Sequence, residues 1–284
     1  MRLLVGYLAT DTGADGVALG IRLARTLDAE LDIAMIVPPQ PPGAPGYEDV
    51  VIAAARGWLT QAASTVPDDV AVTIHVAVDE SFAEGLIRLA EELDVDALVV
   101  GAAGDGLLDR HSIGSVTSDL LHSSPVPLAL APRGTRNSPA SKIRQVTCAV
   151  GTRPGASLAL DTAVRSARAT DIPLRLMSLI ALDPLPAGIP DPDDVRANRA
   201  RAHAKSLLES AKALLPDGFP VGLEVAEGAT VEGAVAALDW HDGDILVVGS
   251  SRLARQRRLF LGSTAAKMLR VLQVPMVVTP NKEV

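Results

Sequence analysis

A chain of 284 residues suits two domains of ordinary size or one large one, and 48% apolar content is enough for a substantial core. Aromatic residues supply only 2%, so that core is aliphatic, a composition that suits buried parallel strands and their covering helices. The 34 acidic and 26 basic residues leave a net charge of −8; this argues against a general nucleic-acid binder and favours small-molecule or protein partners.

The opening MRLLVGYLATD has a short apolar run broken by Asp11. It lacks the longer apolar stretch and cleavage region of a signal peptide, and no run in the chain approaches membrane-spanning length. A cytoplasmic protein with no membrane partner is expected. Leu3 to Leu8 reads as a buried strand. Asp15 to Leu27 has helical spacing of Val17, Ile21 and Ala24, with Arg22 and Arg25 assigned to the surface. Leu31 to Val37 is a second strand, followed by a Pro- and Gly-rich loop from Pro38 to Gly46. Glu48 to Ser64 reads as a helix and Val70 to Val78 as a third strand. Ser81 with Glu84 forms a capping box for a helix through Leu93. Asp96 to Val100 is a fourth strand. The stretch Val99 to Pro132 then gives strand end, glycine loop, helix and a fifth strand framed by Pro125, Pro127 and Pro132.

The same arrangement returns at Val247 to Pro280. Gly101 pairs with Gly249, Gly114 with Gly262 and Pro127 with Pro275, each at an offset of 148. Earlier in the chain the offset is 143: Leu31 to Ile36 aligns with Leu174 to Leu179. Strands in the second copy fall near 146–150, 174–180, 221–225, 245–248 and 276–278, with a proline-rich loop from Asp183 to Asp194. Two α/β domains, residues 1–135 and 142–284, each with a parallel sheet built from right-handed crossovers, account for the pattern. Arg133 to Lys142 is the linker between them.

Glycines in front of a helix N-terminus let backbone approach a ligand, and the helix presents unpaired N–H groups with a partial positive charge. Gly101, Gly104, Gly114, Ser115 and Thr117 therefore make a phosphate cradle at the carboxyl ends of the strands. The simpler reading stays open beside it: Gly101 and Gly104 make a turn and Ser115 caps a helix. There is no G-x-x-x-x-G-K-[ST] motif, and no G-x-G-x-x-G follows either first strand. A P-loop NTPase of the usual kind and a dinucleotide-dependent oxidoreductase are thereby disfavoured.

Gly101-x2-Gly104-x9-Gly114-Ser115, after a Val-Val strand and before a Pro-Val-Pro strand, resembles the ATP-binding motif of universal stress proteins. The resemblance covers both halves, so the chain is similar to a tandem universal stress protein. It implies two doubly wound domains, each a five-stranded parallel sheet with helices on both faces, paired as a pseudo-dimer through their last strands. It also implies adenine nucleotide, ATP or AMP, with Mg accompanying ATP. By position, Val100, Gly101 and Gly104 would line the phosphate and ribose side. Gly114, Ser115, Val116 and Thr117 would hold the phosphates, and Arg110 matches a basic position of the loop. In the second copy the matching residues are Gly249, Gly262, Ser263 and Thr264.

Two departures accompany the resemblance. Nucleotide-binding members carry an Asp at the end of the first strand, where this chain has Leu8 and, in copy two, Gly151; Asp11 substitutes only if the loop folds back. Copy two also replaces the second glycine with Arg252, in a loop carrying Arg255, Arg257 and Arg258 as well, and has Lys267 where copy one has Asp119. That loop would suit a different anion or an acidic partner, but a solvated basic loop is the simpler reading, since charge runs are usually surface.

Other chemistry is sparse. Cys148 sits inside an apolar run and reads as a buried strand residue. None of His75, His111, His122, His203 and His241 has metal-ligand spacing; His122 falls near a helix C-terminus, where a cation is mildly stabilising. Asp94, Asp96, Asp242 and Asp244 are explained by turn chemistry, and Trp58 and Trp240 by helix packing. Three functional readings follow. The first is a non-enzymatic, nucleotide-responsive stress protein with a possible protein partner or homodimer beyond the pseudo-dimer. The second is an interaction and dimerisation module with degenerate sites. A weak ATPase or phosphotransferase ranks last, for want of a base or metal carboxylate near the cradle.

Overall fold

Leu3, Leu4 and Val5 of strand β1 (Arg2–Gly6) are fully buried, as a central strand covered on both faces requires. The computed structural model describes residues 1–42, 46–102, 114–151, 156–182, 193–250 and 259–280. In the first half β1 is followed by α1 (Asp11–Leu27), β2 (Glu30–Val37), α2 (Tyr47–Ala63), β3 (Val72–Val78), α3 (Phe82–Glu92), β4 (Ala97–Gly101), α4 (Ser115–Ser123) and β5 (Leu128–Ala131). The second half repeats the order with β6 (Gln145–Ala149), α5 (Ala156–Thr170), β7 (Leu174–Ala181), α6 (Asp193–Lys212) and β8 (Val221–Gly228). It continues with α7 (Val231–Ala236), β9 (Asp244–Gly249), α8 (Ser263–Val271) and β10 (Met276–Thr279).

The strands form one ten-stranded sheet in the order β3-β2-β1-β4-β5-β10-β9-β6-β7-β8. Every ladder is parallel except the seam, where β5 and β10 pair antiparallel with Ala129 opposite Val277. The two halves thus meet through their last strands, as the resemblance implies. Within each half, strand order reverses between the first and fourth strands, which creates a switch point at their carboxyl ends.

Period-two alternation divides the buried side chains between two faces. Leu31, Ile33 and Met35 of β2 join the core under α1, α2, α5 and α6. Ala34 and Ile36 join the core under α3, α4, α7 and α8. Burying large aliphatic side chains on both faces supplies the main stabilisation, about 1.5–3 kcal/mol for each fully buried Leu or Ile.

Local signals explain where the expectations shift. α1 begins a turn earlier than Asp15 because the Thr10 hydroxyl accepts from the Gly13 N–H and caps the helix there. Ser81 does cap α3, accepting from the Glu84 N–H at 3.3 Å, but the Ser81 N–H donates to Asp79. The Asp79 carboxylate therefore takes the return bond of the capping box.

The linker is fastened to α1. It contains a 3-10 turn, Thr135–Asn137. Asp15, buried to 1% exposure, accepts from the N–H groups of Gly134 at 3.0 Å and Arg136 at 2.9 Å, and pairs with the Arg136 guanidinium. Arg22 is not on the surface. It is buried and donates to the carbonyls of Thr135 at 2.6 Å and Ser138 at 3.1 Å, and burial lowers its pKa. The Thr26 hydroxyl accepts from the Ile143 N–H at 2.9 Å.

Candidate functional site

α4 runs back from the carboxyl edge of the sheet, so its first turn lies at the switch-point end. Three helices start under side-chain caps: α1 under Thr10, α3 under Ser81 and α7 under Thr230. α4 and α8 do not. Gly114 (φ −70°, ψ 166°) and Gly262 (φ −71°, ψ 158°) stand at their N-caps, neither provides a side-chain bond, and neither first turn contains an acidic residue. The leading N–H groups therefore receive no bond from the N-cap side chain. A Cβ built on Gly114 meets no described atom within 4 Å, and its φ is one any residue adopts. Neither backbone geometry nor crowding from described residues explains a glycine there.

Around this turn Ser115 is exposed, Val116 half-buried and Thr117 buried. Copy two has Ser263 exposed and Thr264 half-buried, but Ala265 at the position of Thr117, so the buried hydroxyl is lost. Gly101 serves a different purpose. A Cβ there would overlap the Thr12 carbonyl, so this glycine lets the first turn of α1 close onto the end of β4. Val100 places its side chain in the core shared with α3 and α4, which leaves only its backbone facing the edge. Gly249 ends β9 in register with Thr279. Gly104, Arg110, His111 and the loop arginines 252, 255, 257 and 258 lie outside the described residues.

The first-strand position is apolar and open: Leu8 is 44% exposed. Asp11 begins α1 and pairs with Arg136 at 2.7 Å. Arg136 therefore holds two carboxylates, Asp11 and buried Asp15, and ties the linker to the carboxyl edge. Sequence reading missed this cluster, because the residue matching Asp15 in the second copy is Leu158.

The second copy reaches across to α4 from its other end. The N–H groups of Leu259 and Leu261 donate to the carbonyls of Ser124 at 2.9 Å and Leu121 at 3.2 Å, which satisfies acceptors at the end of the helix. His122 Nδ1 lies 2.6 Å from the Ser118 carbonyl, and its ring packs edge-on against Phe260 at 4.8 Å. In copy two Ser250 accepts from the Phe260 N–H at 2.6 Å, closing the base of the 251–258 loop; Ala102 stands there in copy one. The two tryptophans differ. Trp58 is 47% exposed on α2, whereas Trp240, just beyond α7, packs half-buried against the core under α7 and α8 and donates to the Val235 carbonyl at 2.9 Å. Among the described residues no group of three His, Cys, Asp or Glu converges to hold a metal ion, and no helix is long and apolar enough to cross a membrane.

Residues 1–132 and 142–280 each match the model of the Universal stress protein family. The chain belongs to that family. Universal stress protein Rv2319c of Mycobacterium tuberculosis is 31% identical over 294 residues, covering 99% of this chain and 100% of the relative. Universal stress protein Mb2346c of Mycobacterium bovis gives the same figures. Among solved structures, a universal stress protein from Archaeoglobus fulgidus shares the fold with a TM-score of 0.69 at 16% identity, over 99% of this chain and 98% of that one. Protein PA1789 of Pseudomonas aeruginosa, of unknown function, aligns with a TM-score of 0.59 at 15% identity, over 99% of this chain and 92% of that one. As a universal stress protein, the chain carries the family domain twice.

Proposed function

We propose that the first half binds an adenine nucleotide, ATP or AMP, and that occupancy biases the conformation or association of a non-enzymatic stress-response protein. The observation that carries this reading is the start of α4: a glycine N-cap that no described residue crowds, no side-chain cap from it and no first-turn acid. Such a terminus favours an anion. In this reading the backbone N–H groups of Ser115, Val116 and Thr117 hold phosphate oxygens, and the Ser115 hydroxyl adds a further bond. Thr117, being buried, orients the turn. Magnesium would arrive with ATP as a counter-ion of its phosphates.

The second half keeps Gly262, Ser263 and Thr264 but lacks the buried threonine, so we assign it the weaker site. Neither half retains a free acid at the first-strand position. This favours recognition of phosphate over recognition of ribose, and it is also the observation behind the alternative of an interaction module with degenerate sites. A nucleotide acts as a switch only if its affinity differs between two states. The test is titration calorimetry with ATP and AMP on the full chain, together with mass analysis of small molecules released on denaturation. Binding of either nucleotide supports the proposal. Absence of heat with both, and of any released nucleotide, leaves the interaction module.

A further inference from the structure

On the face of the sheet that carries α1 and α5, the two halves enclose a cavity of about 100 Å³ beside the β5–β10 seam. Its floor takes Leu3 and Ala129 from the first half and Val146, Ile245 and Val277 from the second. Interiors are packed with few voids larger than a water molecule, so a space of this size calls for a cause. The repeat supplies one. At the offset of 143, Leu19, Leu23 and Leu27 of α1 correspond to Thr162, Ser166 and Thr170 of α5. The three α5 residues line the cavity, as do Leu23 and Leu27. Where one half fills the space with leucine, the other offers short side chains.

The lining suits a hydrocarbon better than water. The Thr170 hydroxyl donates to the Ser166 carbonyl at 2.6 Å, and the Thr26 hydroxyl donates to the Arg22 carbonyl at 2.6 Å while accepting from Ile143. A trapped water needs two to four polar partners, whereas a dry apolar cavity of similar magnitude accepts benzene. Met1 and Asp96 are the exposed residues of the lining, which puts the mouth at the amino end of β1 and β4. That is the edge opposite the α4 N-terminus. The Asp96 carboxylate at the mouth disfavours an anionic headgroup.

We propose that this cavity is a binding site for a small neutral apolar molecule, about the size of a benzene ring or a short hydrocarbon chain. Because its floor spans both halves, the ligand strengthens their pairing at the seam. The inference is independent of nucleotide binding.

The test uses the full chain, with toluene as the probe. Toluene raises the unfolding midpoint of the wild type; Ser166→Leu, which fills the cavity, abolishes that rise, while Thr162→Val preserves it. The response of each variant to ATP matches that of the wild type, which separates this site from the nucleotide proposal. No toluene-dependent shift in the wild type, or an equal shift in Ser166→Leu, overturns the proposal. If Ser166→Leu does not fold, xenon titration of the wild type decides by methyl NMR. Shifts concentrated at Leu3, Ile245 and Val277 support the site, and their absence refutes it.

Discussion

Replacing Asp15 with Ala tests how the linker is held. Asp15 is 1% exposed and accepts from Gly134 N at 3.0 Å, Arg136 N at 2.9 Å and Arg136 Nη1 at 3.0 Å. Its removal leaves two backbone donors and one guanidinium contact without their acceptor. An unpaired buried donor costs roughly 1–3 kcal/mol, and breaking a buried ion pair roughly 3–5 kcal/mol. Gly134 is half-buried and Arg136 exposed, so water recovers some of the loss, and Arg136 keeps Asp11. The expected destabilisation is therefore about 3 kcal/mol, at the lower end of the ion-pair range. Urea unfolding measures it, and hydrogen exchange should accelerate at Gly134 and Arg136 while the β1 amides stay protected. Asp69→Ala is the control: its pair with Arg25 is solvent-exposed, and its loss should change stability far less than that of Asp15. A loss below about 1 kcal/mol in Asp15→Ala, with unchanged exchange at 134 and 136, would refute the reasoning.

Three further outcomes follow from buried or paired groups. Arg175 donates to Thr147 and, at 3.5 Å, to the Asp239 carbonyl and lies 4.9 Å from the Trp240 ring centroid, yet its Nη2 is buried with no hydrogen-bond partner among the described residues. Arg175→Leu should therefore change the urea-unfolding free energy by less than about 1 kcal/mol, because removing a buried charge relieves desolvation; a loss of several kcal/mol would contradict this. Burial pushes the Cys148 thiol up to about 12, so a disulfide reagent at pH 8 should label the native protein negligibly and react fully after denaturation. The bidentate contact with Arg201 lowers the Glu227 pKa from its ordinary 4.5. A depressed carboxyl stabilises above its unfolded pKa, and that contribution is lost as pH falls through the folded value. Glu227→Gln should lower the melting midpoint slightly at pH 7, where the carboxylate contributes, and converge with the wild type as the pH falls well below 4.5, which melting across pH checks.

The architecture was legible because every element appears twice. The unbroken offset of 148 from Gly101 to Pro127 fixes the second copy of each fourth and fifth strand without any propensity argument. Reading of single residues failed where a contact arises once. Arg22 lies among helical positions that look solvent-facing, but the linker folds over them and buries it. Trp58 reads as a helix-packing residue, yet α2 presents it at 47% exposure. Gly101 was read as part of the cradle, and the close approach of Thr12 accounts for it independently of any ligand. No local pattern announces the cavity either; it emerges only when α1 and α5 are compared position by position. Gly114 differs from these: no described atom crowds it and its φ does not require glycine, and the proposed anion cradle is the reading that would explain it.

Gly114→Asp measures that reason most directly. An aspartate at this N-cap supplies the missing side-chain acceptor and places a negative charge where phosphate would sit. Stability should be retained or rise by a few tenths of a kcal/mol, since Gly is only slightly worse than Asp as an N-cap. ATP and AMP titrated into wild type and variant, with thermal melts alongside, should show binding in the wild type and none in an equally stable variant. Equal nucleotide affinity in the two proteins would contradict the placement of phosphate at the start of α4.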